Sequence, residues 1–410
     1  MDKQREAEAR CRPPSTRTYS DRALSAEETW AAVEPHLARY GITRMARLTG
    51  LDRIGIPVWN AIMPNAHSIA VNQGKGLSDM DARVSAAMEA IERAIAASPE
   101  AAPVRSTRNS LRDQGRTAFL LPELVASGCA DPDGDTDLDW LPAINLASGE
   151  PILVPAEAAT LDRTRAPRHF WQSSDGLASG NSVAEARLHG LLERLERDAE
   201  ALWYLMSASN RARTCFDPAD LSDPVLDDLV HRVRDAGLTC AFFDMTADTG
   251  MAAVMTYIAP APGTDAGPLS MSAVSAGSGC HPDPVRAAIR AVTEAAQSRM
   301  TYISGVRDDI APESFTSAIP ESIGLLLGAR PAAPPPAAVT ANGDAAAILS
   351  ALLRQPGLAG IGPILAVALS DPGEPFAVEK IIVPGLEQPP GSRLRPHGLR
   401  ALTKVLTLCG

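Results

Sequence analysis

Carboxylate side chains recur at helical spacing between residues 181 and 197. In the stretch WQSSDGLASGNSVAEARLHGLLERLERD, a Ser/Gly-rich segment leads into a predicted helix that bears Glu185, Glu193 and Glu196. Because each helical residue advances about 100° around the axis, Glu193 lies about 80° and Glu196 about 20° from Glu185. Asn181 lies about 40° to the other side, so all four side chains share one stripe. The alternative interpretation is a solvated helix face, since Glu193 and Arg197 have the i,i+4 spacing of an ordinary ion pair.

A similar segment begins at residues 74–76 (GKG) and continues as LSDMDARVSAAMEAIER. Ser85, Glu89 and Glu92 fall within about 60° of one another on a helix. A core-facing stripe is predicted from apolar residues at i, i+4, i+7 and i+11, which are Val84, Met88, Ile91 and Ile95. Both segments therefore follow one plan, in which a Gly-rich turn and a polar start precede a helix with E-x-x-E-R at its far end.

The five glutamates of these two helices would repel one another strongly if no cation lay between them. Hard divalent cations with oxygen ligands, Mg²⁺ above all, relieve such repulsion, and substrate phosphates complete their coordination. Lys75 and the Gly-rich backbone beside it are suited to meet those phosphates. The spacing therefore predicts a site for a metal–phosphate ligand.

A third Gly-rich segment, GSGCHPDPVRAAIRAVTEAAQSR, runs from Gly277 to Arg299. On a helix its polar residues Arg286, Arg290, Glu294 and Gln297 lie within about 80° of one another, whereas Arg299 projects elsewhere. A solvated amphipathic face is the alternative interpretation of this group.

The composition excludes several classes of protein. The chain has 410 residues, of which 45% are hydrophobic and 21% charged, as in an ordinary globular protein. A net charge of −11 argues against nucleic acid as the main partner. No run of eighteen apolar residues predicts a membrane span, and the charged N-terminus does not resemble a signal peptide. Six dispersed cysteines without a CxxC motif suit reduced thiols, so we expect a cytoplasmic protein.

Weaker patterns predict the organisation of the chain. Residues 1–20 are predicted to be a disordered tail and residues 21–328 the catalytic domain. Ser25 and Glu28 predict a capping-box helix start, and His67–Val71 a strand leading into the GKG turn. Further strands are predicted at 43–48, 57–62, 141–146, 151–154, 239–245, 252–258 and 270–276, and residues 101–136 as loop with a short helix.

The remainder is predicted to be a Pro/Ala-rich linker over residues 329–346 and a C-terminal part, residues 347–410. Strands at 364–369 and 377–382 need partner strands, so this part is expected to pack on the main body. The predicted fold class is α/β, with antiparallel and mixed sheets whose faces carry the acidic helices.

The ordered motifs resemble those of the YcaO family. They are SxxxExxER from Ser85 to Arg93, GNxxxEAxxxGxxExxER from Gly180 to Arg197, and the later helix described above. The resemblance runs from about Gly55 to Arg307 and resumes at VPGLE, residues 383–387.

This resemblance implies a YcaO-like fold that binds ATP and Mg²⁺ and differs from the P-loop and protein kinase folds. The chain indeed lacks GxxxxGK[ST]. The implied reaction is phosphoryl transfer to the oxygen of a peptide backbone amide. This oxygen is a poor leaving group until it is phosphorylated. The implied metal ligands are Glu89, Glu92, Glu185, Glu193 and Glu196. The implied nucleotide contacts are Ser85, Asn181 and Arg197, and also Lys75, Arg290 and Arg299. The N-terminal nucleotide contacts of the family have no recognisable counterpart in residues 1–50.

The resemblance leaves the product open. Cysteine, serine or threonine side chains of the substrate would yield azolines, and an external sulfur source would yield a thioamide. Azoline-forming members typically end in a proline-rich tail, but here HGLRALTKVLTLCG carries a helical apolar stripe at Leu399, Leu402, Val405 and Leu406. We therefore expect thioamidation of a peptide or protein, with a TfuA-like partner or another sulfide source, by a homodimer. The alternatives are an azoline-forming cyclodehydratase, a non-catalytic peptide-binding partner protein and, more remotely, a small-molecule ligase.

Overall fold

The computed structural model describes residues 19–263, 269–307, 310–388 and 397–409. Of the tail predicted at residues 1–20, residues 1–18 lie outside the described residues. Within the described ranges, no helix combines the length and apolarity that crossing a membrane requires.

Three long helices dominate the architecture. In chain order the helices are α1 (Ala26–Val33), α2 (Asp79–Ala97), α3 (Arg108–Asp113), α4 (Ala156–Ala159), α5 (Val183–Tyr204), α6 (Ala208–Ala212), α7 (Pro224–Asp235), α8 (Pro284–Ser304), α9 (Glu321–Leu327), α10 (Ala345–Leu353), α11 (Pro356–Ala359) and α12 (Leu399–Cys409). The three longest, α2, α5 and α8, are the helices for which polar stripes were predicted. The capping box of Ser25 and Glu28 at the start of α1 is confirmed.

The strands form three sheets in which every pairing between named strands is antiparallel. They are β1 (Arg44–Arg47), β2 (Val58–Ile62), β3 (Val71–Lys75), β4 (Val104–Thr107), β5 (Asp137–Asn145), β6 (Pro151–Pro155), β7 (Leu177–Gly180), β8 (Cys215–Phe216), β9 (Leu238–Asp244), β10 (Ala253–Pro260), β11 (Ser275–Cys280), β12 (Leu365–Ala368) and β13 (Ala377–Ile382). Their orders are β1-β2-β3, β11-β10-β9-β8 and β4-β5-β12-β13-β7, with β6 paired to β5. The predicted α/β fold is confirmed.

Helix α5 lies between the two larger sheets. Its Leu191 and Leu195 share one hydrophobic cluster with Ile381 of the six-stranded sheet and with Phe243 and Met255 of the four-stranded sheet. The opposite face of the six-stranded sheet packs against α2, and the opposite face of the four-stranded sheet packs against α8. The polar stripes of α2 and α5 reach the edge strands β7 and β11, where Ser179 contacts Glu92 and Ser278 contacts Glu196.

Glycines in strands, rather than in turns, bring the long helices close to their sheets. A Cβ on Gly74 in β3 would lie 2.0 Å from the Ala86 nitrogen of α2. A Cβ on Gly277 in β11 would lie 2.2 Å from the Ala295 nitrogen of α8. The predicted GKG turn is therefore wrong, because Gly74 and Lys75 belong to β3, which begins only at Val71.

Other boundaries also differ from the predictions. The strand predicted at 270–276 begins at Ser275 and runs through the Gly-rich segment to Cys280. Residues 101–136, predicted as loop and short helix, also contain β4. In both places glycine or polar composition suggested a loop, but pairing with β10 or β5 holds the chain extended.

The C-terminal strands complete the six-stranded sheet. β12 pairs with β5, and β13 pairs with both β12 and β7, so both are inner strands. The Pro/Ala-rich segment that precedes them follows the surface of the body, where Ala332 and Ala333 donate to the Cys215 carbonyl. The sheet beside the candidate site is thus built from distant parts of the sequence.

Candidate active site

The acidic stripe of α5 is buried against the strands on either side. The Glu196 carboxylate accepts a hydrogen bond from Ser278 Oγ of β11 at 2.8 Å and pairs with Arg197 at 3.1 Å. On the other side, Glu193 Oε2 accepts from the Gly176 N–H at 3.2 Å. The stripe therefore connects the two larger sheets.

Helix α2 brings a second pair of glutamates to the same region. Glu92 Oε1 accepts from the N–H of Ser179 at 3.0 Å and from its Oγ at 2.6 Å. Glu89 forms an i,i+4 pair with Arg93 at 3.3 Å. Ser85 is half-buried one turn before Glu89 on the same face of α2.

The carboxylates of α2 and α5 influence one another electrostatically. Burial, reinforced by the charges of Glu89 and Glu193, raises the pKa of Glu92 to about 8 despite the Ser179 hydrogen bonds. Burial raises the pKa of Glu193 to about 7, and Asp175 and Glu196 add to this effect. Both glutamates thus lie where added positive charge would stabilise their ionised forms.

Glu294 of α8 forms ion pairs with two cations beside these carboxylates, Lys75 and Arg197. Lys75 Nζ lies 2.7 Å from Glu294 Oε2, and an Arg197 nitrogen lies 4.0 Å from Glu294 Oε1. Although burial opposes it, the nearby Lys75 and Arg197 hold the pKa of Glu294 below its usual value. Two of the four cations predicted to contact the nucleotide, Lys75 and Arg197, therefore lie beside one carboxylate. Glu294 itself was not assigned a role.

The segment before α1 crosses the start of α5. Glu185 Oε2 accepts from the N–H and the side-chain amide of Asn181, at 3.0 and 3.1 Å. Its Oε1 accepts from the Ala23 N–H at 2.7 Å, and Arg22 lies 3.8 Å away. Thr29 Oγ donates to Asn181 Oδ1 at 2.9 Å. Asn181 and Glu185 are thus engaged with α1 and the segment before it, where no counterpart of the family's N-terminal nucleotide contacts was recognised.

Asp21 extends these contacts to α8. Its carboxylate pairs with the guanidinium of Arg286 and lies 3.1 Å from His281 Nε2. Arg290, one turn further along α8, donates to the Cys280 carbonyl at 3.4 Å. Arg299 lies apart from this group, since nine helical residues rotate it by about 180° from Arg290 and its ion-pair partner is Asp52 at 3.7 Å.

The motifs and their placement match a known family. A family model for the YcaO cyclodehydratases, described as ATP- and Mg²⁺-binding, matches residues 73–387, which is more than half of the chain and includes α2, α5 and α8. The chain belongs to the YcaO family. ATP and Mg²⁺ are therefore the cofactors of its family.

The relatives of this YcaO chain include two uncharacterized proteins. It is 40% identical to an uncharacterized protein in the tfuA 3′ region of Rhizobium leguminosarum bv. trifolii, over 94% of this chain and 93% of that protein. It is 36% identical to an uncharacterized protein of Methanothermobacter thermautotrophicus, over 72% of this chain and 74% of that protein.

Solved structures share the YcaO fold. The YcaO protein of Methanopyrus kandleri bound with AMPPCP and Mg²⁺ matches with a TM-score of 0.67 at 21% identity, over 89% of this chain and 92% of that one. A heterocyclase in complex with substrate and cofactor matches with a TM-score of 0.71 at 21% identity. That match covers 90% of this chain but 53% of the heterocyclase, so the chain spans about half its length.

The residues of this YcaO site fit Mg²⁺ in their chemistry. Every candidate ligand is a carboxylate oxygen, the donor that Mg²⁺ prefers. Among the described residues, no three His, Cys, Asp or Glu side chains already form a group that could hold a metal ion. A site for Mg²⁺ with a nucleotide does not require such a group, because proteins hold this ion through one or two carboxylates and the substrate phosphates supply further ligands.

Two charged residues beside the YcaO motifs, Asp175 and Lys380, were not among the predicted site residues. Asp175 accepts from Ser173 Oγ at 2.7 Å and lies in the turn that contacts Glu193. Lys380 is buried on β13 and donates to the main chain of the same turn. Neither has a periodic signal, because Asp175 precedes a strand and Lys380 reaches the site only through sheet pairing.

Proposed function

We propose that this chain activates a peptide backbone amide by ATP-dependent O-phosphorylation. The observation that carries this proposal is the arrangement of α2, α5 and α8, which brings Glu92, Glu193 and Glu196 near one another beside the cations Lys75 and Arg197. Membership of an ATP- and Mg²⁺-binding family supports the same interpretation. Phosphoryl transfer depends mainly on positioning and charge neutralisation, which such a site provides.

The residues divide into two roles. Glu89, Glu92, Glu185, Glu193 and Glu196 would hold Mg²⁺, which when bound neutralises phosphate charge. Arg197 and Lys75 would bind the phosphates, with Arg197 suited to two parallel hydrogen bonds. Ser85, Asn181, Arg290 and Arg299 remain proposed nucleotide contacts, and Arg299 is the weakest of these because it faces Asp52.

The chemistry that follows is a substitution at the amide carbon. The amide oxygen attacks the γ-phosphorus of ATP, and ADP leaves. A sulfur nucleophile then adds to the carbon of the phosphorylated amide, and loss of inorganic phosphate leaves a carbon–sulfur double bond. Oxygen thus departs as part of phosphate, and sulfur takes its place.

We infer thioamidation as the outcome. The relative in the tfuA 3′ region supports a TfuA-like partner or other sulfide source. The proposed substrate is a peptide or protein, and the proposed assembly is a homodimer.

A second candidate is an azoline-forming cyclodehydratase, which the description of the family model favours. Mass spectrometry of the modified peptide separates the two. Exchange of oxygen for sulfur raises the peptide mass by about 16 Da, whereas cyclodehydration lowers it by about 18 Da. We expect the gain when ATP, Mg²⁺, sulfide and peptide are combined. Loss of water without sulfur uptake would contradict thioamidation.

Phosphate release from ATP tests the alternative of a non-catalytic partner protein. We expect release to rise when the peptide is added, because the amide oxygen is the phosphoryl acceptor. Peptide binding without any ATP turnover would instead indicate a protein that only presents the substrate.

A further inference from the structure

Lys380 is a buried cation that none of the family motifs includes. Lys380 is 4% exposed and lies near the middle of β13. A buried ammonium is stable only when its N–H donors find partners. Lys380 Nζ donates to the carbonyl oxygens of Ser173 and Asp175, at 2.5 and 2.8 Å. Both acceptors are backbone atoms, so the side chain fixes the path of the main chain there.

The same turn, residues 173–176, is held from two further directions. The Ile381 N–H donates to the Gly176 carbonyl at 2.7 Å. Gly176 has φ +79°, and a Cβ there would lie 2.3 Å from the Ile381 carbonyl and 2.9 Å from the Arg194 side chain. The turn is therefore fitted tightly between β13 and α5, and only glycine is accommodated at its end.

The fixed turn presents two groups to the candidate site. The Gly176 N–H donates to Glu193 Oε2 at 3.2 Å. The Asp175 carboxylate lies beside it, held by Ser173 Oγ at 2.7 Å. A change in the path of the turn would move both groups, and with them the carboxylate of Glu193.

We propose that Lys380 is a positioning residue for the Mg²⁺–ATP site, which holds turn 173–176 and thereby fixes the carboxylate of Glu193. The inference rests on the proposed function, in which Glu193 is a metal ligand. The hydrogen bonds described for Lys380 go to the main chain of the turn, and its charge also acts on the carboxylates of Asp175 and Glu193. Residues that orient metal ligands from outside commonly change metal affinity by about 10–100-fold when they are replaced.

The test is calorimetric titration with a nonhydrolysable ATP analogue over a series of Mg²⁺ concentrations. Lys380→Met keeps the apolar stem and removes the ammonium. The matched control is Ile382→Val, which lies two residues on, on the same face of β13, and is also buried. We expect Lys380→Met to raise the Mg²⁺ concentration for half-maximal binding by at least about tenfold. Ile382→Val should leave it unchanged while lowering the melting temperature.

Three outcomes would contradict the proposal in distinguishable ways. Wild-type-like binding by Lys380→Met would overturn the positioning role alone. Equal losses in Lys380→Met and Ile382→Val would also overturn it, because the effect would then reflect sheet stability. Absence of binding by the wild-type chain would overturn the proposed function and, with it, this inference. If Lys380→Met does not melt cooperatively, Lys380→Gln replaces it in the test, because glutamine is neutral but retains N–H donors. We then expect an intermediate increase in the Mg²⁺ concentration for half-maximal binding.

Discussion

Arg400 of α12 forms a two-point ion pair with Asp198 of α5, with distances of 2.8 Å from Nη2 to Oδ2 and 3.2 Å from Nε to Oδ1. Asp198 is fully buried and follows Arg197, a proposed phosphate contact. Glu387 of the VPGLE motif accepts from the N–H groups of Gly398 and Ala401, so α12 is tied at its start to the motif as well.

Arg400→Ala should destabilise the fold, because it leaves the Asp198 carboxylate buried without its cation. Breaking a buried pair from one side commonly costs about 3–5 kcal/mol. Chemical denaturation measures the loss, with Lys404→Ala on the same helix as the control. A loss no larger than that of the control would show that solvent or another cation compensates for Arg400.

Glu193→Gln and Glu196→Gln should abolish ATP turnover while the fold remains intact. Each removes one proposed metal-ligating carboxylate, but the carboxamide introduced in place of Glu193 would keep an oxygen for the Gly176 N–H. Phosphate release and circular dichroism check the two halves of this prediction. Asp228→Asn, on the exposed face of α7, is the control. Wild-type turnover in both site variants would refute the metal assignment.

Glu193→Gln should also change the pH dependence of stability in the absence of metal. Burial raises the pKa of Glu193 from 4.5 to about 7 in the folded state. A raised pKa means that the stability contributed by the protonated form is lost as pH rises from 4.5 through 7. The variant should therefore gain in melting temperature relative to wild type on going from about pH 5 to about pH 8. A constant difference across this range would contradict the raised pKa.

Gly74→Ala should destabilise the protein by roughly 1–3 kcal/mol, because its Cβ would enter the backbone of α2. Gly324→Ala is a matched control in the exposed part of α9, where a Cβ meets no atom within 4 Å. There we expect a gain of up to about 1 kcal/mol from helix propensity. Denaturant titrations measure both, and equal effects would contradict the close packing of β3 on α2.

His281 should make the fold sensitive to acid. Its Nδ1 accepts from the Asp283 N–H at 2.9 Å, so the ring is neutral with its proton on Nε2, facing Asp21. Burial lowers the pKa of His281 to about 4, and the nearby Arg286 and Arg290 reinforce the shift against the opposing effect of Asp21. A lowered pKa means that stability present above pH 6.5 is lost as pH falls towards 4. Protonation of Nδ1 would also break its bond at the start of α8.

The measurement is the free energy of unfolding between about pH 4 and pH 6.5 for wild type and His281→Gln. The free energy of unfolding of the variant should fall less steeply as pH decreases in this window. The difference in slope should correspond to the uptake of about one proton fewer on unfolding. The lowered pKa of Asp21 acts below its usual value of 3.8, outside this window. Parallel curves would show that His281 does not titrate on unfolding.

Local periodicity was sufficient to predict the long helices and the faces they bury. The α5 stripe that contains Glu193 and Glu196 does face the neighbouring strands, because helical geometry alone relates residues three apart. The α/β class and the YcaO membership were likewise predicted and are confirmed. Antiparallel and mixed sheets were expected, but every pairing between named strands is antiparallel.

Contacts between distant residues could not be predicted in this way. Asp21 reaches Arg286, and Lys380 reaches the turn at Ser173, through pairings that no local pattern encodes. Gly74 was wrongly predicted to lie in a turn, because glycine is common in turns. Here its missing side chain instead allows α2 to pack closely against β3. Only the packing of α2 on β3 distinguishes the two cases.

The inner position of β13 matters for how the molecule is made. In the pairing of β13 with β7, Val378 lies opposite Ser179 and Lys380 lies opposite Leu177. Strand β7 therefore pairs with a strand that is synthesised about 200 residues later. Pairings of such sequence separation form slowly, and the unpaired edges invite aggregation meanwhile. A nascent chain in which α2 and α5 have been synthesised still lacks β13, the strand that pairs with β7 and so supports the contact between Ser179 and Glu92. The contact between Ser179 and Glu92 is therefore supported by its full sheet only in chains whose translation has passed β13.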